Sequence, residues 1–157
     1  MRRRAILSLA ASCTLAACAH PATDTAPGMA WSLVNSADEG AKLAYGQPQS
    51  DNVLLMLSCA PGAGQITVSL SAGDAAPAVI DLAAGDRTAR YEGETSPSFG
   101  EGGSLIEAQA SAADPTLMRF ANGETLTVLE NGRRSVLPVR ADERDQVRSF
   151  FKSCRAA

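Results

Sequence analysis

From residue 31 onward the apolar positions come in short stretches, each cut off by Gly, Pro, Asn or Asp. Residues 31–34 and 42–45 read as short strands. Residues 52–59 contain the unbroken apolar run Val53-Leu54-Leu55-Met56-Leu57, a length that suits a strand covered on both faces. Pro61-Gly62-Ala63-Gly64 reads as a turn. Beyond it, residues 65–71 alternate, with Ile66, Val68 and Leu70 to one side and Thr67 and Ser69 to the other, so the two stretches form a hairpin. Residues 78–82 alternate again, Ala84-Gly85-Asp86 turns the chain, and 87–91 returns it. Residues 91–103 show no period and read as the longest irregular stretch, before a further strand at 103–110. Asp114-Pro115 opens a single helical turn through Phe120, because Asp is a good N-cap and Pro suits the first helical position. Asn131-Gly132, between 125–130 and 133–139, is the strongest hairpin signal in the chain. At the end the period changes: Val147, Phe150, Phe151 and Cys154 fall on one helical face, with Asp142, Glu143 and Asp145 at its start and Arg148, Lys152 and Arg155 towards its finish, as the helix dipole favours. The pattern predicts a mainly β fold, an antiparallel sandwich or barrel with a C-terminal α-helix packed on the sheet.

Residues 1–17 follow a different logic. Arg2, Arg3 and Arg4 precede an apolar stretch of thirteen residues, 5–17, which is too short to span a bilayer. A basic head, a short apolar body and small residues at its end make a secretory signal peptide. The motif that closes it, Leu15-Ala16-Ala17-Cys18, resembles the lipobox of bacterial lipoproteins. That resemblance implies cleavage before Cys18, with acyl chains on its thiol and on the new amino terminus. Several acyl chains hold far more firmly than one, at about 0.8 kcal/mol per buried CH₂. In Gram-negative lipoproteins an Asp after the cysteine marks inner-membrane retention. Here that position is Ala19, so the resemblance implies a lipid-anchored protein of the cell envelope, on the outer membrane and facing the periplasm. Arg3-Arg4 also resembles a twin-arginine signal. Residues 18–30, with Pro21, Pro27 and Gly28, have no period and read as a flexible tether; residues 31–157 then form a single β-rich domain.

Of the four cysteines, Cys13 leaves with the signal and Cys18 takes the lipid. Cys59 and Cys154 remain. In an oxidising exported compartment this pair reads as one disulfide, two free buried thiols being the alternative.

Length and charge narrow the function classes. The 157 residues make one domain, and the net charge of −3 lacks the basic excess of a nucleic-acid binder. The only histidine, His20, lies in the tether, so the domain lacks the residue that Ser-His-Asp and Cys-His sites need. No nucleotide, zinc or calcium motif is present, and no cofactor or metal is expected. The 61–64 turn lacks the Lys and the following helix of a phosphate loop. The candidate binding surface is the irregular stretch 91–103, with Tyr91, Glu92, Glu94, Phe99 and Glu101; loops carry function more often than sheets do. Two of its carboxylates, paired as acid and base, are the one catalytic option. Charge is uneven: residues 18–118 hold 3 basic and 12 acidic side chains, and residues 119–157 hold 8 basic and 5 acidic. Arg133, Arg134, Arg140 and Arg144 read either as a patch for anionic lipid or polysaccharide, or as a solvated surface paired with the acids nearby.

As a whole, the domain resembles small secreted bacterial β-domains of unknown function, with an early Trp, a Cys-ended strand and a terminal helix ending in Cys. In its lipobox, strands and disulfide it also resembles the membrane-bound inhibitors of c-type lysozyme, though it lacks their Ser-Gly reactive loop. The expectation is a non-catalytic, membrane-tethered domain that binds a protein or polysaccharide of the envelope. An inhibitor of a hydrolase such as lysozyme is the first alternative, and a small carboxylate-dependent hydrolase the second.

Overall fold

The structure is a computed structural model. It describes the backbone of residues 23–24 and, with side chains, residues 28–73, 76–98 and 103–156. The signal segment and Cys18 lie outside the described residues. The chain forms β1 (Thr23–Asp24), β2 (Ala30–Ser36), β3 (Gly40–Gly46), β4 (Val53–Cys59), β5 (Gln65–Ala72), β6 (Val79–Ala84), β7 (Arg87–Pro97), β8 (Ser104–Ser111), α1 (Pro115–Ala121), β9 (Leu126–Glu130), β10 (Arg133–Leu137) and α2 (Arg144–Cys154). All ten strands join one curled sheet, a half-barrel, in the order β1-β10-β9-β6-β7-β8-β5-β4-β3-β2. Nine strands pair antiparallel, and β1 lies parallel to β10. The fold is thus mainly β with α2 packed on the sheet. A short strand also docks within the segment whose composition suggested only a tether.

β7 makes the curl. Its first half, through Glu92, pairs with β6, and its second half, from Gly93 to Pro97, pairs with β8. The handover falls at Gly93, where a Cβ would run into the Glu107 backbone carbonyl of β8. This strand replaces much of the irregular stretch expected at 91–103. Its period was hidden because the positions that alternate with Glu92 and Glu94 after Tyr91 are a half-buried Gly93 and an exposed Thr95, which carry no apolar signal. β4 also differs from expectation. Leu55, Leu57 and Cys59 are buried on its inner face, but Leu54 and Met56 on the other are only half covered.

Local chemistry explains the turns. Asn131 and Gly132 both have positive φ, 48° and 78°, the geometry of the hairpin turn that joins β9 to β10. The Asp114 carboxylate accepts from the backbone N–H groups of Thr116 and Leu117 and so starts α1.

The core lies between the inner face of the sheet and the two helices. Trp31 lies between Tyr45 and Phe120 in tilted ring contacts, with centroids 5.1 and 4.8 Å away; Phe120 meets Phe151 edge-on, and Phe151 meets Phe150. All four α2 positions on the apolar stripe, Val147, Phe150, Phe151 and Cys154, are buried, and burying one Phe side chain contributes about 3 kcal/mol. The Cys59–Cys154 disulfide, with Cα atoms 5.7 Å apart, ties β4 to the end of α2. Beside it the 61–64 turn finishes the helix: Gly62 N–H donates to the Ser153 carbonyl and Gly64 N–H to the Cys154 carbonyl, each at 2.8 Å. Those carbonyls would otherwise lack partners at a helix end.

Candidate functional site

The alternation of β7 divides the residues singled out from the sequence. Tyr91 points into the core and is 7% exposed. Burial, reinforced by the Asp114 carboxylate nearby, raises the pKa of its phenol well above the usual value, so it stays protonated. Its hydroxyl has no hydrogen-bond partner of good geometry among the described residues. Glu92 and Glu94 point the other way, onto the outer face of the sheet. Phe99 and Glu101 lie outside the described residues.

That outer face is a polar trough. In the ladder, Met56 of β4 stands opposite Ser69 of β5, Ser69 opposite Glu107 of β8, and Glu107 opposite Glu94 of β7. The Ser69 hydroxyl, although 3% exposed, donates to Glu107 Oε1 at 3.1 Å. One row along, Gln109 Nε2 donates to Thr67 Oγ1 at 2.9 Å. Glu94 and Glu107 are like charges placed directly across two strands, an arrangement that costs stability. Two neighbouring depressions result. One, of about 580 Å³, is lined by Glu92, Glu94, Ser96, Glu107 and Gln109. The other, of about 680 Å³, combines Ser50, Ser69, Ser71 and Ser98 with the apolar side chains of Val53, Met56 and Leu105. Hydroxyls, carboxylates and a small apolar floor equip this face to hydrogen-bond a polar or cationic partner. Ser98, at the start of the 98–103 connection, stands on its rim.

A groove of about 520 Å³ at the tip of the β9–β10 hairpin has a different character. Ala76, Pro77, Val79 and Leu129 give it apolar walls, and three arginines, Arg90, Arg133 and Arg134, face two carboxylates, Asp81 and Glu130. Across β6 and β7, Arg90 grips Asp81 with two hydrogen bonds of 2.8 and 2.7 Å. Arg90 thereby holds the Asp81 carboxyl below the usual carboxylate range, against a smaller opposing effect of burial.

The four arginines read as one patch are divided. Arg140 is bound to Glu143, and Arg144 begins α2. Arg133 and Arg134 are exposed on β10 and form no ion pair among the described residues.

The sequence placed Glu143 with Asp142 and Asp145 at the helix start, as the dipole favours, and gave no sign of its burial. It is 3% exposed. Its carboxylate accepts from the backbone N–H of Trp31 at 3.1 Å, from the backbone N–H of Arg140 at 2.8 Å and from the Arg140 guanidinium. Three residues on, Gln146 Oε1 accepts from Leu33 N–H at 2.9 Å. α2 therefore occupies outward donors of β2, the edge strand, and closes that part of the edge to other chains.

No described helix is long and apolar enough to cross a membrane. No family model, curated protein or solved structure matches the chain.

Proposed function

We propose that the chain is a non-catalytic, lipid-anchored domain of the bacterial cell envelope, held by acyl chains on Cys18 to the periplasmic face of the outer membrane. It binds a protein or polysaccharide of the envelope through the polar trough on β4, β5, β8 and β7. The observation that carries the binding reading is the trough itself, with the exposed carboxylates Glu92, Glu94 and Glu107 on the outer face of the sheet. Export is supported by the lipobox-like Leu15-Ala16-Ala17-Cys18 and by the Cys59–Cys154 bridge, a bond typical of oxidising compartments. Anchoring confines the search for a partner to a surface, where modest affinity is enough.

The test is cross-linking in native membranes, comparing the wild-type chain with Glu94→Lys/Glu107→Lys and following acylation with labelled palmitate in wild type and Cys18→Ser. The expected result is a discrete envelope component captured by wild type and lost with the double variant, and label lost with Cys18→Ser. Capture that is indifferent to the charge reversal overturns the trough as the binding face. Equal labelling of wild type and Cys18→Ser overturns the anchor.

A further inference from the structure

The strand β1 fixes where the chain enters the domain. Thr23 pairs with Ser135 and Asp24 with Val136, and the two strands run parallel. At Thr23 the backbone therefore runs in the same direction as β10, away from the end of the sheet that carries the β9–β10 hairpin tip. Five residue steps separate Cys18 from Thr23, a reach of at most about 18 Å. An acyl chain on Cys18 thus tethers the domain within that distance of Thr23, which pairs with Ser135, the neighbour of Arg134 on β10.

The tip is chemically suited to what it would meet. Arg133 and Arg134 are exposed and form no ion pair among the described residues. A guanidinium presents a planar fork that matches phosphate oxygens. Among the described residues, Glu130 stands opposite Arg133 in the hairpin, and Asp81, the other carboxylate of the groove, is held by Arg90. The potential of an anionic leaflet decays over about 8 Å at physiological salt, so only groups held close to it respond. The acidic trough, with Glu92, Glu94 and Glu107, is repelled by the same surface. We infer that the β9–β10 hairpin end is the side of the domain that lies on the anchoring bilayer, with Arg133 and Arg134 engaging anionic phospholipid headgroups. This orientation rests on acylation at Cys18.

The experiment uses the native lipidated chain, reconstituted into phosphatidylethanolamine vesicles with and without phosphatidylglycerol. An arginine-specific dicarbonyl reagent is applied, and peptide mass spectrometry gives the rate of modification at each arginine. Arg87 is the internal control: it is exposed and sits at the opposite end of β6, β7 and β9. On the anionic vesicles Arg133 and Arg134 are expected to react about fivefold more slowly than on neutral ones, the effect of about 1 kcal/mol per arginine at such a surface. Arg87 is expected to be unchanged, and the protection to vanish in about 0.5 M salt. An acylated, vesicle-bound chain whose Arg133 and Arg134 are unprotected, or protected no more than Arg87, overturns the orientation and leaves the anchor standing. A chain whose mass shows no acyl groups overturns both.

Discussion

Replacing Glu143 with Ala tests the tie between α2 and the edge of the sheet. The substitution removes the acceptor for two backbone N–H groups, those of Trp31 and Arg140, at a site where the side chain is 3% exposed. Each donor left without a partner costs about 1–3 kcal/mol. The Arg140 guanidinium is 54% exposed and regains water when released, so loss of the ion pair itself adds less than about 1 kcal/mol. The total is about 2–7 kcal/mol, or a fall in Tm of about 8–28 °C for a domain of this size. Glu143→Gln keeps one oxygen for Trp31 N–H but turns an NH₂ donor toward the Arg140 donors, and falls between wild type and Ala. The assay is urea unfolding of the mature oxidised chain, followed by fluorescence of Trp31, the only tryptophan. An Ala variant within about 0.5 kcal/mol of wild type, the usual range for surface substitutions, refutes the reasoning.

Three further outcomes follow from the same structure. Cys59 and Cys154 close a loop spanning 95 positions; Cys59→Ser/Cys154→Ser is expected to lose about 4–5 kcal/mol, measured by thermal unfolding beside wild type with and without reductant, and equal Tm values would contradict this. Tyr91 has its pKa raised by burial, so its folded form holds a proton that the unfolded chain releases near pH 10. Its contribution is full below that pH and is lost as pH rises above it, by up to about 1.4 kcal/mol per pH unit. Tyr91→Phe should flatten the alkaline limb of the stability curve, and parallel limbs would count against it. Asp81 is shifted the other way by Arg90, so its contribution is present above the unfolded pKa of about 3.9 and fades as pH falls below it. Acid titration of Asp81→Asn is expected to show a shallower loss of stability than wild type over that range.

Much of the architecture was legible because it rests on local chemistry. The period of 2 in residues 65–71, the Asn131-Gly132 turn, the Asp114-Pro115 helix start and the 3.6-residue stripe through Val147 and Cys154 each report a backbone preference within a few positions, and each appears in the structure. The bridge was legible by exclusion. The candidate surface was only half legible. Glu92 and Glu94 do line an open face, but Tyr91, their neighbour, is core. The stretch looked irregular because a strand that continues past Tyr91 with a half-buried Gly93 and an exposed Thr95 carries no hydrophobic signal, and only its partner β8 completes the ladder.

By itself, then, the sequence determined the turns, the helix face and the alternation of most strands, since these depend on neighbours along the chain, and it pointed to the cysteine pairing by exclusion. Tertiary structure alone decided the strand order, with β6 between β7 and β9, and the handover of β7 at Gly93. It also decided the burial of Glu143 and the assembly of a trough from four strands. These depend on which distant backbone donors and side chains meet: an acid at a helix start reads the same whether it faces water or, as here, the N–H of a residue 112 positions away.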